Sequence, residues 1–132
     1  MSMNDPIADF LTRLRNAGSA KHATCAVATS KIKEQLARIL SEEGYISQWG
    51  VEGEGPKRTL TMTLKYAPDG RPVIRGIQRV SKPGRRAYRG AAEIPRVLNG
   101  MGISVVSTSQ GMLTDAAARS RNVGGEVICN VW

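Results

Sequence analysis

The chain has 132 residues, of which 41% are hydrophobic, enough to bury a real core or two small ones sharing an interface. Nineteen Lys and Arg against eleven Asp and Glu leave a net charge of +8. A polyanion is the expected partner, and nucleic acid is the commonest one. No apolar stretch approaches the roughly 20 residues of a spanning helix, and the start of the chain lacks the basic and apolar regions of a signal peptide. The expectation is a soluble, cytoplasmic protein with no membrane partner. Cys25 and Cys129 fit no C-x-x-C pattern, so buried free thiols are expected rather than a disulfide framework or a zinc site.

Asn4-Asp5-Pro6 offers a helix cap followed by proline, which suits a first helical turn. Ile7, Phe10, Leu11 and Leu14 then recur at helical spacing, and Gly18 is expected to end the helix. Residues 24–27 form a short strand candidate. Ser30 caps a second helix running to about residue 43, with Ile32, Leu36, Ile39 and Leu40 as its buried stripe and Gly44 as its left-handed end. Lys31, Lys33 and Arg38 are placed away from that stripe.

Two strands follow, at 45–49 and 59–66. In the second, Leu60, Met62, Leu64 and Tyr66 alternate with Thr59, Thr61, Thr63 and Lys65, the pattern of a half-buried antiparallel ribbon. The glycines at 50, 53 and 55 lie in an acidic stretch with no helix after them, so they read as a hairpin connection and not a phosphate loop. The Ala67-Pro68-Asp69-Gly70 turn marks the expected boundary between two modules, 1–67 and 68–132.

The charge changes across that turn. Residues 71–100 carry eight basic side chains against the single acid Glu93, whereas residues 41–56 hold four glutamates and no base. Residues 73–80 read as a strand, 82–90 as an irregular basic loop, and 92–99 as a short helix. A strand at 102–106 leads into the loop Ser107-Thr108-Ser109-Gln110-Gly111, a helix at 115–121 and a last strand at 126–132. The fold class expected is α+β, with an α/β N-terminal module and a mainly β C-terminal module with short helices.

Catalysis is poorly supplied. The chain has one histidine, scattered carboxylates, no second glycine for a nucleophile elbow around Ser104 and no Walker-type phosphate loop. His22 sits in a basic loop without a carboxylate beside it, so a surface or RNA-adjacent role is expected for it. Neither catalytic residues, metal, cofactor nor a small-molecule substrate is expected. Binding is better supplied: Tyr88 lies among Lys82, Arg85, Arg86 and Arg89, joining phosphate-seeking cations to an aromatic face. A solvated loop with a buried tyrosine is the plainer alternative. Three hydroxyls, Ser107, Thr108 and Ser109, followed by Gly111, give a compact surface able to approach a ligand closely. Lys31 and Lys33 are weaker candidates. A DNA-packaging protein would share the charge, and a nuclease using His22 is a third reading.

Several segments together resemble the small-subunit ribosomal protein eight family in its bacterial form, over nearly the whole chain. They are residues 4–17, Ser30-Lys31-Ile32-Lys33, Glu42-Glu43-Gly44-Tyr45-Ile46, Ser81-Lys82-Pro83-Gly84 with Tyr88, and above all residues 102–132. In the last, STSQG, Thr114-Asp115, Ala118-Arg119 and Gly124-Gly125-Glu126 follow in order. The resemblance implies an rRNA-binding protein of the small subunit, bound to the central domain of its RNA and helping to assemble the platform beside neighbouring ribosomal proteins. It implies contact with an irregular rRNA helix through Ser107, Thr108, Ser109 and Tyr88, and Gly111 and Glu126 join the expected set. Relatives in some bacteria also repress their own operon by binding its mRNA. One departure is Ala28, where relatives often carry proline; it bears on the stiffness of the entry to the second helix. The Arg85-Arg86 pair varies in the family and is assigned general phosphate contact.

Overall fold

The computed structural model describes residues 5–132. The fold is α+β, with three α-helices and two antiparallel sheets. The described residues divide into two compact units, one made of residues 9–75 and the other of residues 5–8 with 76–132.

Helix α1 spans Pro6–Ser19. Asn4 lies outside the described residues. Asp5 acts as the cap, its Oδ1 accepting from the Ala8 amide at 3.1 Å. Phe10, Leu11 and Leu14 are buried, as their spacing predicts. Gly18 does not end the helix. The left-handed residue is Lys21, and the His22 amide closes back onto the Ala17 carbonyl at 3.0 Å. An ordinary side chain therefore takes the place that glycine usually fills.

In the 9–75 unit, β1 (Thr24–Ala28), β2 (Ile46–Glu52) and β3 (Thr59–Leu64) form one sheet in the order β1-β3-β2. Leu60, Met62 and Leu64 turn inward from β3, as their alternation predicts. The connection 53–58 joins two antiparallel strands, so Gly53 and Gly55 do serve a hairpin, whereas Gly50 lies within β2, paired with Thr61, because the strand runs on past residue 49 to Glu52. Helix α2 (Lys31–Glu42) packs on β2 and β3. Ser30 caps it, accepting from the Lys33 amide at 3.3 Å, and left-handed Gly44 ends it.

The α2 stripe is rotated from the one expected. Lys33 is buried with Leu36, Ala37, Ile39 and Leu40, while Ile32 is only half-buried. Lys33 can take a core position because its long apolar stem continues the stripe and its ammonium donates to the Ala28 carbonyl at 2.9 Å.

The second sheet has five strands: β4 (Ile77–Arg79), β5 (Tyr88–Arg89), β6 (Ile103–Thr108), β7 (Gly111–Thr114) and β8 (Gly125–Val131). Strand β8 is central, pairing with β6 on one side and with β4 and β5 in turn on the other. A bulge between Val105 and Val106 in the β6–β8 register leaves Val127, Ile128 and Cys129 buried in succession. Helix α3 (Asp115–Ser120) lies on β6 and β7, with Ile94, Val106 and Ala118 packed together.

Four expectations change here. The strand expected at 73–80 shrinks to Ile77–Arg79. Gly76 instead lies so close to the Trp132 ring that a Cβ there would come within 2.2 Å of it. The basic segment is not wholly irregular, because Tyr88 and Arg89 pair with β8. The helix expected at 92–99 becomes two 3₁₀ turns, Ala91–Glu93 and Val97–Gly100. Pro95 between them lacks the amide a continuous helix needs, and Leu98 and Asn99 are left-handed. Finally, Ser107 to Gly111 is no free loop; it closes the β6–β7 hairpin.

Candidate nucleic-acid interface

The hairpin tip is the two-residue link Ser109-Gln110, closed by the pair Thr108 and Gly111. Gly111 has φ of 99°, a conformation that L side chains rarely adopt, which explains the glycine. The Thr108 hydroxyl accepts from the Gln110 amide at 3.0 Å and donates to the Gly111 carbonyl at 2.8 Å. It is committed to holding the turn. Ser109 is exposed and Ser107 is half-buried, and neither hydroxyl is used in that way.

Across the sheet, Met112 faces Ser107, Ser107 faces Glu126, and Glu126 faces Tyr88. Directly opposed residues of antiparallel strands project to the same side, so Ser107, Glu126 and Tyr88 form one cross-strand row. Tyr88 is 65% exposed, which overturns the alternative of a buried tyrosine. Close approach of the strands makes this row possible. A Cβ on Gly125 would sit 2.0 Å from the Ser107 carbonyl oxygen, and one on Gly124 would sit 2.4 Å from that of Arg89. Only glycines let β8 run between β5 and β6 here.

Glu126 is held from two sides. The Ser81 hydroxyl donates to its Oε2 at 2.5 Å, and Arg86 Nη1 donates to the same oxygen at 3.0 Å. Ser81 is fully buried and also accepts from the Ala87 amide at 3.1 Å, so one serine ties both ends of the basic segment to β8.

A cleft of about 470 Å³ adjoins this segment, lined by Arg79, Lys82, Arg85, Arg86 and Arg89 with the amide side chains of Gln78 and Asn130. Two of its five cations are already paired: Arg86 with Glu126, and Arg79 with Asp5 at 3.1 Å. Arg89 donates to the Tyr88 carbonyl at 2.8 Å. Among the described residues Lys82, Arg85 and Arg89 form no ion pair, so they carry the uncompensated charge of the cleft. This geometry suits phosphate groups, with the exposed ring of Tyr88 close by.

Helix α3 braces the hairpin from behind. Thr114 caps it, accepting from the Ala117 amide at 3.2 Å. Buried Asp115 accepts from the Ser104 amide at 3.1 Å and pairs with Arg119, which donates to the Ile94 carbonyl at 3.1 Å. The Ser104 hydroxyl donates to Asn130 at 2.5 Å. Burial pushes the Cys129 thiol up to about 12, against an opposing pull from Arg79.

Lys31 and Lys33 lie in the other unit; Lys31 is exposed and Lys33 is engaged as described. His22 is exposed, and its carbonyl accepts from the Tyr66 hydroxyl at 2.5 Å. Among the described residues no group of three or more His, Cys, Asp or Glu could hold a metal, and no helix is long and apolar enough to cross a membrane. Sequence reasoning missed Ser81, Arg79, Gln78 and Asn130 as parts of this surface. Arg79 and Gln78 were legible only as members of a strand, and Ser81 only as part of a motif.

An exposed aromatic, two hydroxyls that the turn does not use and a cationic cleft lie on one sheet, a combination whose chemistry suits a polyanion. The family model described as "Ribosomal protein S8" matches residues 5–132. A protein of Rubrobacter xylanophilus called "Small ribosomal subunit protein uS8" is 54% identical over 132 residues, covering all of both chains. Proteins of the same name from Clostridioides difficile and Cupriavidus metallidurans are 55% and 52% identical, over 100% and 99% of both chains. The chain belongs to the ribosomal protein S8 family.

Proposed function

We propose that this protein is a structural constituent of the small ribosomal subunit that binds the central domain of its rRNA and helps assemble the platform. It works in the cytoplasm, in the ribosome beside other small-subunit proteins, and carries no catalytic activity of its own. The observation that carries the reading is the row of Ser107, Glu126 and exposed Tyr88 beside the cationic cleft, in a chain of this family.

Residues 68–132 serve as the RNA-binding module. Tyr88 stacks on an unpaired base or ribose, the Ser107 and Ser109 hydroxyls read edges or 2′-hydroxyls, and Gly111 and Thr108 shape the turn. Lys82, Arg85 and Arg89 bind phosphates, and exposed Lys31 is a weaker phosphate contact within its own unit. Binding of a similar structure in its own operon mRNA, with translational repression, belongs to the same reading.

Binding of a central-domain rRNA fragment, compared with a hairpin of scrambled sequence over a range of salt, tests it. The fragment should be preferred, and affinity should fall steeply with salt, each neutralised phosphate adding about 0.7–0.9 to the log–log slope. Arg85→Ala should weaken both RNAs alike and reduce the slope by about one such step. Equal affinity for the fragment and for duplex DNA would favour a DNA-packaging role and sink the proposal.

A further inference from the structure

Glu126 is an anomaly, a carboxylate at the centre of a surface that otherwise recruits negative charge. Its two oxygens differ. Oε2 takes both the Ser81 hydroxyl and the Arg86 guanidinium, whereas Oε1 has no partner among the described residues. The Ser81 hydroxyl has one hydrogen and spends it on Glu126 while accepting from the Ala87 amide, so the carboxylate orientation is fixed from a fully buried anchor. Such an investment of partners aims the free oxygen; it does not merely neutralise it.

An ionised carboxylate only accepts hydrogen bonds. RNA phosphates carry negative charge and only accept, so phosphate is excluded from this point of the row. Base amino and imino groups donate, and an unpaired base lying on the exposed ring of Tyr88 brings its edge beside Glu126. Opposed Cβ atoms in an antiparallel pair are only about 5 Å apart.

We propose that Glu126 determines specificity at the rRNA site. Its Oε1 accepts a hydrogen bond from an amino or imino N–H of a base stacked on Tyr88, and its charge turns phosphates toward the neighbouring cleft. Ser81 and Arg86 are the positioning residues. Arg86 spends its charge on Glu126 and adds little to phosphate binding. The inference rests on the rRNA-binding reading above and deepens it.

Glu126→Gln keeps the side-chain volume and one acceptor oxygen for Ser81 and Arg86, but removes the charge and replaces the free acceptor with a donor. With the thermal midpoint held as a control on folding, the preference for the central-domain fragment over the scrambled hairpin should fall about tenfold or more. The scrambled hairpin should bind more tightly, and the log–log salt slope should steepen by about 0.7–0.9 as Arg86 is freed for phosphate. Fragments carrying nucleotide analogues that each lack one exocyclic amine should show a position of interference with the native protein that disappears with Glu126→Gln.

If the native protein prefers the fragment and Glu126→Gln prefers it equally, this inference fails and the rRNA-binding reading stands. Dependence on a 2′-deoxy substitution in place of an amine at the position sensitive to residue 126 also overturns it. If the native protein shows no preference, the broader reading fails and takes this one with it.

Discussion

Two hairpins of this protein, β2–β3 and β6–β7, solve the same geometric problem by different means. Between β2 and β3 the chain takes six residues, 53–58, and bends at two left-handed glycines, Gly53 and Gly55. Between β6 and β7 it takes two residues and is closed by the Thr108 hydroxyl, with one left-handed glycine after the tip. Backbone freedom shapes the first, and a side chain shapes the second. A run of three hydroxyls is therefore not three equivalent groups. Thr108 is consumed by the turn, whereas the Ser107 and Ser109 hydroxyls take no part in closing it.

Glycine substitution tests this difference most severely. Gly125→Ala would place a Cβ 2.0 Å from the Ser107 carbonyl oxygen, a backbone atom that cannot move without breaking the β6–β8 pairing. A loss of about 3 kcal/mol or more is expected in urea unfolding, with loss of RNA binding from whatever remains folded. Gly53→Ala strains only its own turn, at φ of 100° with a 2.9 Å approach to the Lys57 carbonyl oxygen. About 1–2 kcal/mol is expected there, with RNA binding unchanged. Equal losses at the two positions would remove the distinction between a structural connection and a working one.

Much of the frame was legible in the residues because local rules and burial agree there. The alternation of β3, the Ser30 cap and the Gly44 terminus all stand as their residue types predict. The misses fall where one rule overrode another. The charge of Lys33 predicts an outward position, but its stem and the Ala28 carbonyl decide its place. Strand β7 is four residues long, too short to show a period, and it ends on the threonine that caps α3. In the site, the basic segment and the hydroxyl run could be seen in the chain. The Ser107–Glu126–Tyr88 row could not, because it exists only through cross-strand register between residues up to 38 positions apart.

The two cysteines extend the comparison to the two units. Cys129, in the five-stranded sheet, has its pKa raised by burial from 9.0 to about 12; Cys25, in the three-stranded sheet, is also raised by burial. A thiol whose folded pKa lies above the unfolded value contributes stability that is complete below pH 9 and is lost as pH rises toward 12, because the unfolded chain ionises first. The native protein should lose up to about 1.4 kcal/mol per pH unit in that window beyond what Cys129→Ala loses. Urea midpoints at pH 8 and pH 10.5 for the two proteins measure it. Parallel pH dependences would show that Cys129 does not contribute.

The smallest effects on stability distinguish the neighbouring hydroxyls. Thr108→Val keeps the side-chain shape and deletes both turn hydrogen bonds, so about 1 kcal/mol of stability should go, together with RNA affinity, because the tip loses its set. Ser109→Ala removes an exposed hydroxyl that the turn does not use, and less than about 0.5 kcal/mol of stability should change. Its cost should appear only on binding, as about 1–3 kcal/mol of lost discrimination between the rRNA fragment and a scrambled hairpin, where an RNA polar group is left buried without a partner. If Ser109→Ala instead destabilises the fold as much as Thr108→Val, both hydroxyls are structural and the reading surface contracts to Ser107, Glu126 and Tyr88.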